Sequence, residues 1–235
     1  MSELYFFDPK GNPMKKNQFI QFYSQCYYLK NSAVVEEDIE KLQKEGIKAP
    51  SDVMKILEWK IGRIDNKQSQ ASGNVCYSHP QEVGRYQTKT RSGIIDAEQI
   101  CEYIAKHYSE LTTKEPCEIF QILRDFQTEN LGTVYLLTLV YFISKGEMPI
   151  YDRFAQQALD AICAKKKPGE YVKQKTPPDK MSKTAFQWYE KNYRTPLKNL
   201  FPQDYKNRDL DRALWVYGHL FNDNKKNHDR VAKTT

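Results

Sequence analysis

Histidine is scarce in this 235-residue chain: His79, His107, His219 and His228 are the whole complement, and no two stand at ligand spacing. The five cysteines (Cys26, Cys76, Cys101, Cys117, Cys163) are odd in number and scattered, with no CxxC pair and no Cys/His cluster. Neither zinc nor an iron–sulfur cluster is supported, and no cofactor or metal is expected. Buried free thiols at Cys101 and Cys117, both in helix-patterned segments, suit a reducing cytoplasm. Long apolar runs are missing as well. The longest, Val134–Ile143, is interrupted by Thr138 and bounded by Glu129 and Lys145, too short for a membrane span. The first residues, Met1-Ser2-Glu3-Leu4-Tyr5-Phe6-Phe7-Asp8, lack the basic and long apolar regions of a signal peptide. A soluble, cytoplasmic protein with no membrane partner is expected. No phosphate-cradling glycine loop, no Ser/His/Asp motif, no internal repeat and little strand alternation are present.

What is there points to a packed helical chain. Hydrophobic residues make up 40%, and 16 Tyr, 11 Phe and 3 Trp argue against global disorder. The length fits one domain, or one domain with two lobes. A net charge of +6 favours an anionic partner, although solubility alone would account for it.

Apolar residues recur at helical spacing along most of the chain. Phe19, Phe22, Tyr23 and Cys26 form one stripe from about Asn17, and Val53, Ile56 and Leu57 a second after Ser51, a suitable N-cap. Ile100, Tyr103, Ile104 and His107 follow from about Asp96, and Pro116 suits the first turn of a helix carrying Ile119, Phe120 and Leu123. The segment from Thr133 to Ser144 is apolar on nearly all sides, as in a central helix wrapped by others. Ala155, Ala158, Leu159 and Ile162 mark a helix after Asp152. Leu210, Ala213, Leu214, Val216, Tyr217 and Leu220 mark the last, started by Asn207 or Asp209. The expected fold class is all-α, a single helical domain over residues 1–221 with polar loops at 64–93 and 164–183 and a flexible tail at 222–235.

One constellation carries chemistry. Leu131-Gly132-Thr133-Val134 opens the apolar helix, which leads through Gly146 to Pro149-Ile150-Tyr151-Asp152-Arg153-Phe154. Twenty positions separate Gly132 from Asp152. Over residues 117–163 this layout resembles the helix-hairpin-helix DNA glycosylases, the endonuclease III-like superfamily. There a Leu-Pro-Gly-x-Gly hairpin, an apolar helix and a catalytic aspartate follow at a similar interval. The chain departs from that pattern at Glu129, which replaces the proline, and at Asn130, which replaces the first glycine. Asparagine is the residue after glycine most able to take a positive φ, so the turn is compatible. Val134 stands where such enzymes carry a Schiff-base lysine, which argues against an amine-dependent lyase.

The resemblance implies a duplex-DNA partner and, if the chain is an enzyme, a monofunctional N-glycosylase-like hydrolase. Asp152 would stabilise the charge developing on the deoxyribose as the base leaves. Backbone N–H groups of Asn130, Leu131, Gly132 and Thr133 would hold a phosphate. Lys165, Lys166 and Lys167, in a segment that also carries Lys173, Lys175, Lys180 and Lys183, are the candidate electrostatic contacts. A plainer alternative is Asp152 as an ordinary N-cap in a non-catalytic helical protein-interaction module. Trp59 beside Lys60 and Arg63, and the interleaved Trp188–Tyr217 stretch with Arg194, Arg208 and Arg212, fit core packing better than base contacts.

Overall fold

A computed structural model describes residues 6–29, 33–61, 63–64, 75–78, 87–89, 94–126, 128 and 130–221. The tail 222–235 and most of the polar segment 64–93 lie outside the described residues. The chain is mostly helical, as its periodicity implies. Short antiparallel strand pairs depart from the all-α expectation: β1 (Phe6–Phe7) with β2 (Pro13–Met14), β4 (Arg63–Ile64) with β5 (Val75–Ser78), and β6 (Gln87–Lys89) with β7 (Ile94–Asp96). A further strand, β3, covers Tyr27–Leu29. Pieces of two to four residues are too short to carry a legible period-two pattern.

Two compact units share the chain. One comprises Met1–Tyr27, Tyr151–Thr176 and Glu190–Thr235; the other comprises Tyr28–Ile150 and Pro177–Tyr189.

The first unit is built on α1 (Lys16–Gln25), α7 (Arg153–Cys163) and α10 (Arg208–Gly218), with α10 packed against both of the others. Its core is aromatic. Phe19 lies 4.9 Å from Phe6, 5.1 Å from Tyr23 and 5.0 Å from Tyr217 between ring centres, and the Tyr23 hydroxyl donates to the Phe7 carbonyl at 2.9 Å. Asn207 caps α10, its side chain accepting from Asp209 N at 2.9 Å.

A π-helical turn, Glu190–Arg194, precedes α9 (Thr195–Leu200), and Pro196 explains it. Proline has no N–H to give the carbonyl four residues back, and its ring crowds that carbonyl. The carbonyl is that of Asn192, and it accepts instead from Nε2 of the fully buried Gln156 on α7, at 3.1 Å.

The second unit contains α2 (Ala33–Glu45), α3 (Pro50–Ile61), α4 (Glu98–Leu111), α5 (Pro116–Arg124), α6 (Thr133–Ile143) and α8 (Ala185–Tyr189). As expected from its all-round apolarity, α6 is central: every residue from Leu136 to Ile143 is buried, and α3 and α5 pack on it. Trp59 belongs to this core, 5.9 Å edge-on to Phe142, with its Nε1 donating to the buried Glu36 at 2.6 Å. Ser51 is not the cap of α3. The helix starts one residue earlier at Pro50, and Asp52 Oδ2 accepts from Lys48 N and Ala49 N at 2.9 and 3.0 Å. Pro116 opens α5 behind Glu115, which forms a reciprocal capping box with Glu118.

Candidate nucleic-acid interface

The turn between α5 and α6 belongs to the second unit. After Arg124 the chain folds back on itself, with Phe126 N donating to Leu123 O at 3.3 Å and Thr128 N to Phe126 O at 2.9 Å. Asn130 then takes the left-handed conformation, φ +58°, the role its side chain equips it for in place of glycine. Leu131 turns inward and is 1% exposed. Gly132 is the N-cap of α6 in extended conformation, and a β-carbon built on it meets no atom within 4 Å. The space above the helix start is open at that position.

A segment far off in sequence braces this turn. The hydroxyl of Thr133, itself buried, donates to the Pro178 carbonyl at 2.6 Å. The Lys180 ammonium donates to the carbonyls of Phe126 at 3.2 Å and Thr128 at 3.0 Å. Partial burial pushes the Lys180 pKa below the ordinary lysine value, and neighbouring Asp179 opposes that shift. The sequence marks Lys180 only as one charge among several, because its partners lie some fifty residues away.

Asp152 lies in the first unit and caps α7, its Oδ1 accepting from Phe154 N at 2.8 Å. The capping role anticipated for it is therefore present, and the residue is half-buried. The last turn of α10 seats against this helix start. A β-carbon on Gly218 would overlap the Phe154 carbonyl oxygen, so the close approach of the two backbones requires glycine. His219, one residue on, stacks on Phe154 with ring centres 3.5 Å apart, and its Nδ1 bonds the Trp215 carbonyl at 2.7 Å. Burial drives its pKa down to about 4, overriding the carbonyl bond and the Asp152 charge, which raise it. At neutral pH the imidazole is uncharged. Neither Gly218 nor His219 stands out in the sequence, where His219 reads as an ordinary helix-face residue.

The three lysines singled out in sequence end α7. Lys165 takes the left-handed position, φ +55°, with its N–H on Ile162 O at 3.1 Å, and Lys166 N reaches Ala161 O at 2.9 Å. That is a Schellman cap with lysine where glycine is usual. Lys166 Nζ pairs with Glu170 Oε1 at 3.2 Å, and Lys167 Nζ lies 5.7 Å above the Phe7 ring. The Lys167 backbone N–H, and then Lys166, hold the Glu170 carboxyl below its ordinary pKa. Lys165 and Lys167 are exposed.

Among the described residues, no group of His, Cys, Asp or Glu side chains is arranged to hold a metal ion, and no helix is long and apolar enough to cross a membrane. Cys101 is buried and Cys117 half-buried, both as free thiols. No protein-family model, curated protein or solved structure matches this chain.

Proposed function

We propose that this protein binds duplex DNA through the α5–α6 turn and presents Asp152 to the sugar of an extruded nucleotide, as a monofunctional base-excising hydrolase on a helix-hairpin-helix glycosylase-like scaffold. The observation that carries the reading is Asn130 at φ +58° directly before Leu131 and the open N-cap Gly132. A non-glycine residue held in that conformation costs conformational energy, and turns that keep one tend to use it. The first N–H groups of α6 lack intrahelical partners by the geometry of any helix, and the positive end of the helix favours a phosphate.

In this reading the Asn130–Thr133 amides of the second unit hold a phosphate of the duplex backbone, and the exposed Lys165 and Lys167 of the first unit offer their own electrostatic contacts to DNA. Asp152, fixed at a helix start, then supplies a carboxylate where positive charge grows on the deoxyribose. Val134 leaves no amine on the first turn of α6 for a covalent intermediate. The use of Asp152 Oδ1 as a cap favours the second reading, a non-catalytic module with the same packing.

Binding to a fluorescent duplex containing a stable abasic-site analogue, beside undamaged duplex and at two salt concentrations, tests the proposal. The expected result is lesion-preferring, salt-sensitive binding that Gly132→Trp abolishes. Absence of binding at low salt removes the DNA function. Base release by the wild type but not by Asp152→Asn distinguishes the enzyme from the non-catalytic module.

A further inference from the structure

The segment Pro177–Met181 reaches the α5–α6 turn by hydrogen bonds whose partners are 45 to 54 residues apart in sequence. We infer that this segment is a brace that fixes the turn in its ligand-binding conformation, with Lys180 as the positioning residue. The inference rests on the nucleic-acid reading of the turn and names what governs it.

The geometry separates this lysine from its neighbours. Lys166 pairs with Glu170, and Lys175 pairs with Asp160 at 2.6 Å. Lys180 instead spends two of its three N–H donors on main-chain carbonyls, those of Phe126 and Thr128, which lie on the irregular backbone between α5 and Asn130. The Phe126 carbonyl also accepts from Thr128 N at 2.9 Å, and the charge-assisted bonds from Lys180 are stronger than that neutral one. The two acceptors lie two residues apart, so one ammonium sets their relative direction and with it the entry to Asn130. On the far side of the turn, Thr133 Oγ1 on Pro178 O ties the first residue of α6 to the same segment. Pro177 and Pro178 have fixed φ, which limits how far the brace can yield. Asp179 anchors the local bend, its Oδ1 accepting from Met181 N at 2.9 Å and its carbonyl from Ser182 N at 3.0 Å. The turn is thus held from both ends by one short stretch of chain.

Hydrogen exchange and DNA binding together test this on the full-length protein, using wild type, Lys180→Met, Lys180→Arg and Lys183→Met. Lys180→Met is expected to raise exchange at the amides of residues 126–135 at least tenfold while the α3 and α4 amides keep wild-type rates. It is expected to weaken binding to the abasic-analogue duplex about tenfold at an unchanged slope of log affinity against log salt. Lys180→Arg restores much of both, and Lys183→Met alters neither exchange nor the turn. Wild-type exchange in Lys180→Met overturns the brace, whatever the binding result. A salt slope reduced by about one in Lys180→Met also overturns it, because that marks a direct phosphate contact. Failure of the wild type to bind DNA removes the function proposed above, while exchange still decides the brace.

Discussion

Gly218 sits with its α-carbon hydrogens against the main chain of Phe154, the second residue of α7, so closely that a β-carbon would overlap the Phe154 carbonyl oxygen. Two helices are thereby locked at the point where α7 begins. Gly218→Ala is expected to destabilise the protein by about 3 kcal/mol, the upper part of the usual overpacking range, because the obstructing atoms are backbone. Urea denaturation measures it. A midpoint unchanged from wild type would mean that the close approach is not maintained in solution.

Asp152 offers two separable effects. Asp152→Ala removes the bond to Phe154 N and is expected to cost about 1 kcal/mol, whereas Asp152→Asn keeps a capping oxygen and costs little. Base release, in contrast, should be lost in both. Thermal unfolding of the pair beside an excision assay distinguishes the roles, and equal excision by Asp152→Asn and wild type would leave Asp152 as a cap alone.

His219 makes stability depend on pH in a stated direction. Its folded pKa, about 4, lies below the ordinary value of 6.5, so between those values the unfolded chain takes up a proton that the folded one excludes. Its neutral form is fully accommodated above pH 6.5, and stability falls as the pH drops from there towards 4, by up to about 3 kcal/mol. His219→Phe keeps a ring against Phe154 and should remove that part of the acid sensitivity. Denaturation of both proteins from pH 7 to 4 is the measurement, and parallel curves would contradict the assignment.

Two lysines occupy left-handed helix ends, Lys145 at φ +51° after α6 and Lys165 at φ +55° after α7. Each pays a steric penalty that glycine avoids, partly offset by glycine's larger entropy in the unfolded chain. Lys145→Gly and Lys165→Gly are each expected to raise stability by about 0.5–1 kcal/mol, read from the urea midpoint. If Lys165 contacts a phosphate, its variant also lowers the salt slope of DNA binding by about one, while Lys145→Gly leaves it unchanged. Destabilisation by Lys165→Gly would show that the lysine side chain contributes more to the fold than its backbone strain costs.

The amino-acid sequence by itself determined the elements whose causes are local. The central helix Thr133–Ile143 is legible because it is apolar on all sides, and Asn207 and Asp152 are legible as caps because a short polar side chain reaches its own next turn. The positive φ at Asn130 follows from the one side chain other than glycine that best tolerates it. Helix Ala33–Glu45, the π-helical turn before Pro196 and the short strands were not marked in the sequence, since their patterns are brief or depend on packing. Tertiary structure alone decided which charges and rings do structural work. Lys180 differs from Lys183 because the folded chain brings the main-chain carbonyls of Phe126 and Thr128 within reach of its ammonium. Gly218 and His219 matter only because α10 ends against the start of α7. A hydrogen bond or a steric overlap acts over a few ångströms of space, and at separations of fifty residues or more the sequence carries no local pattern to record it.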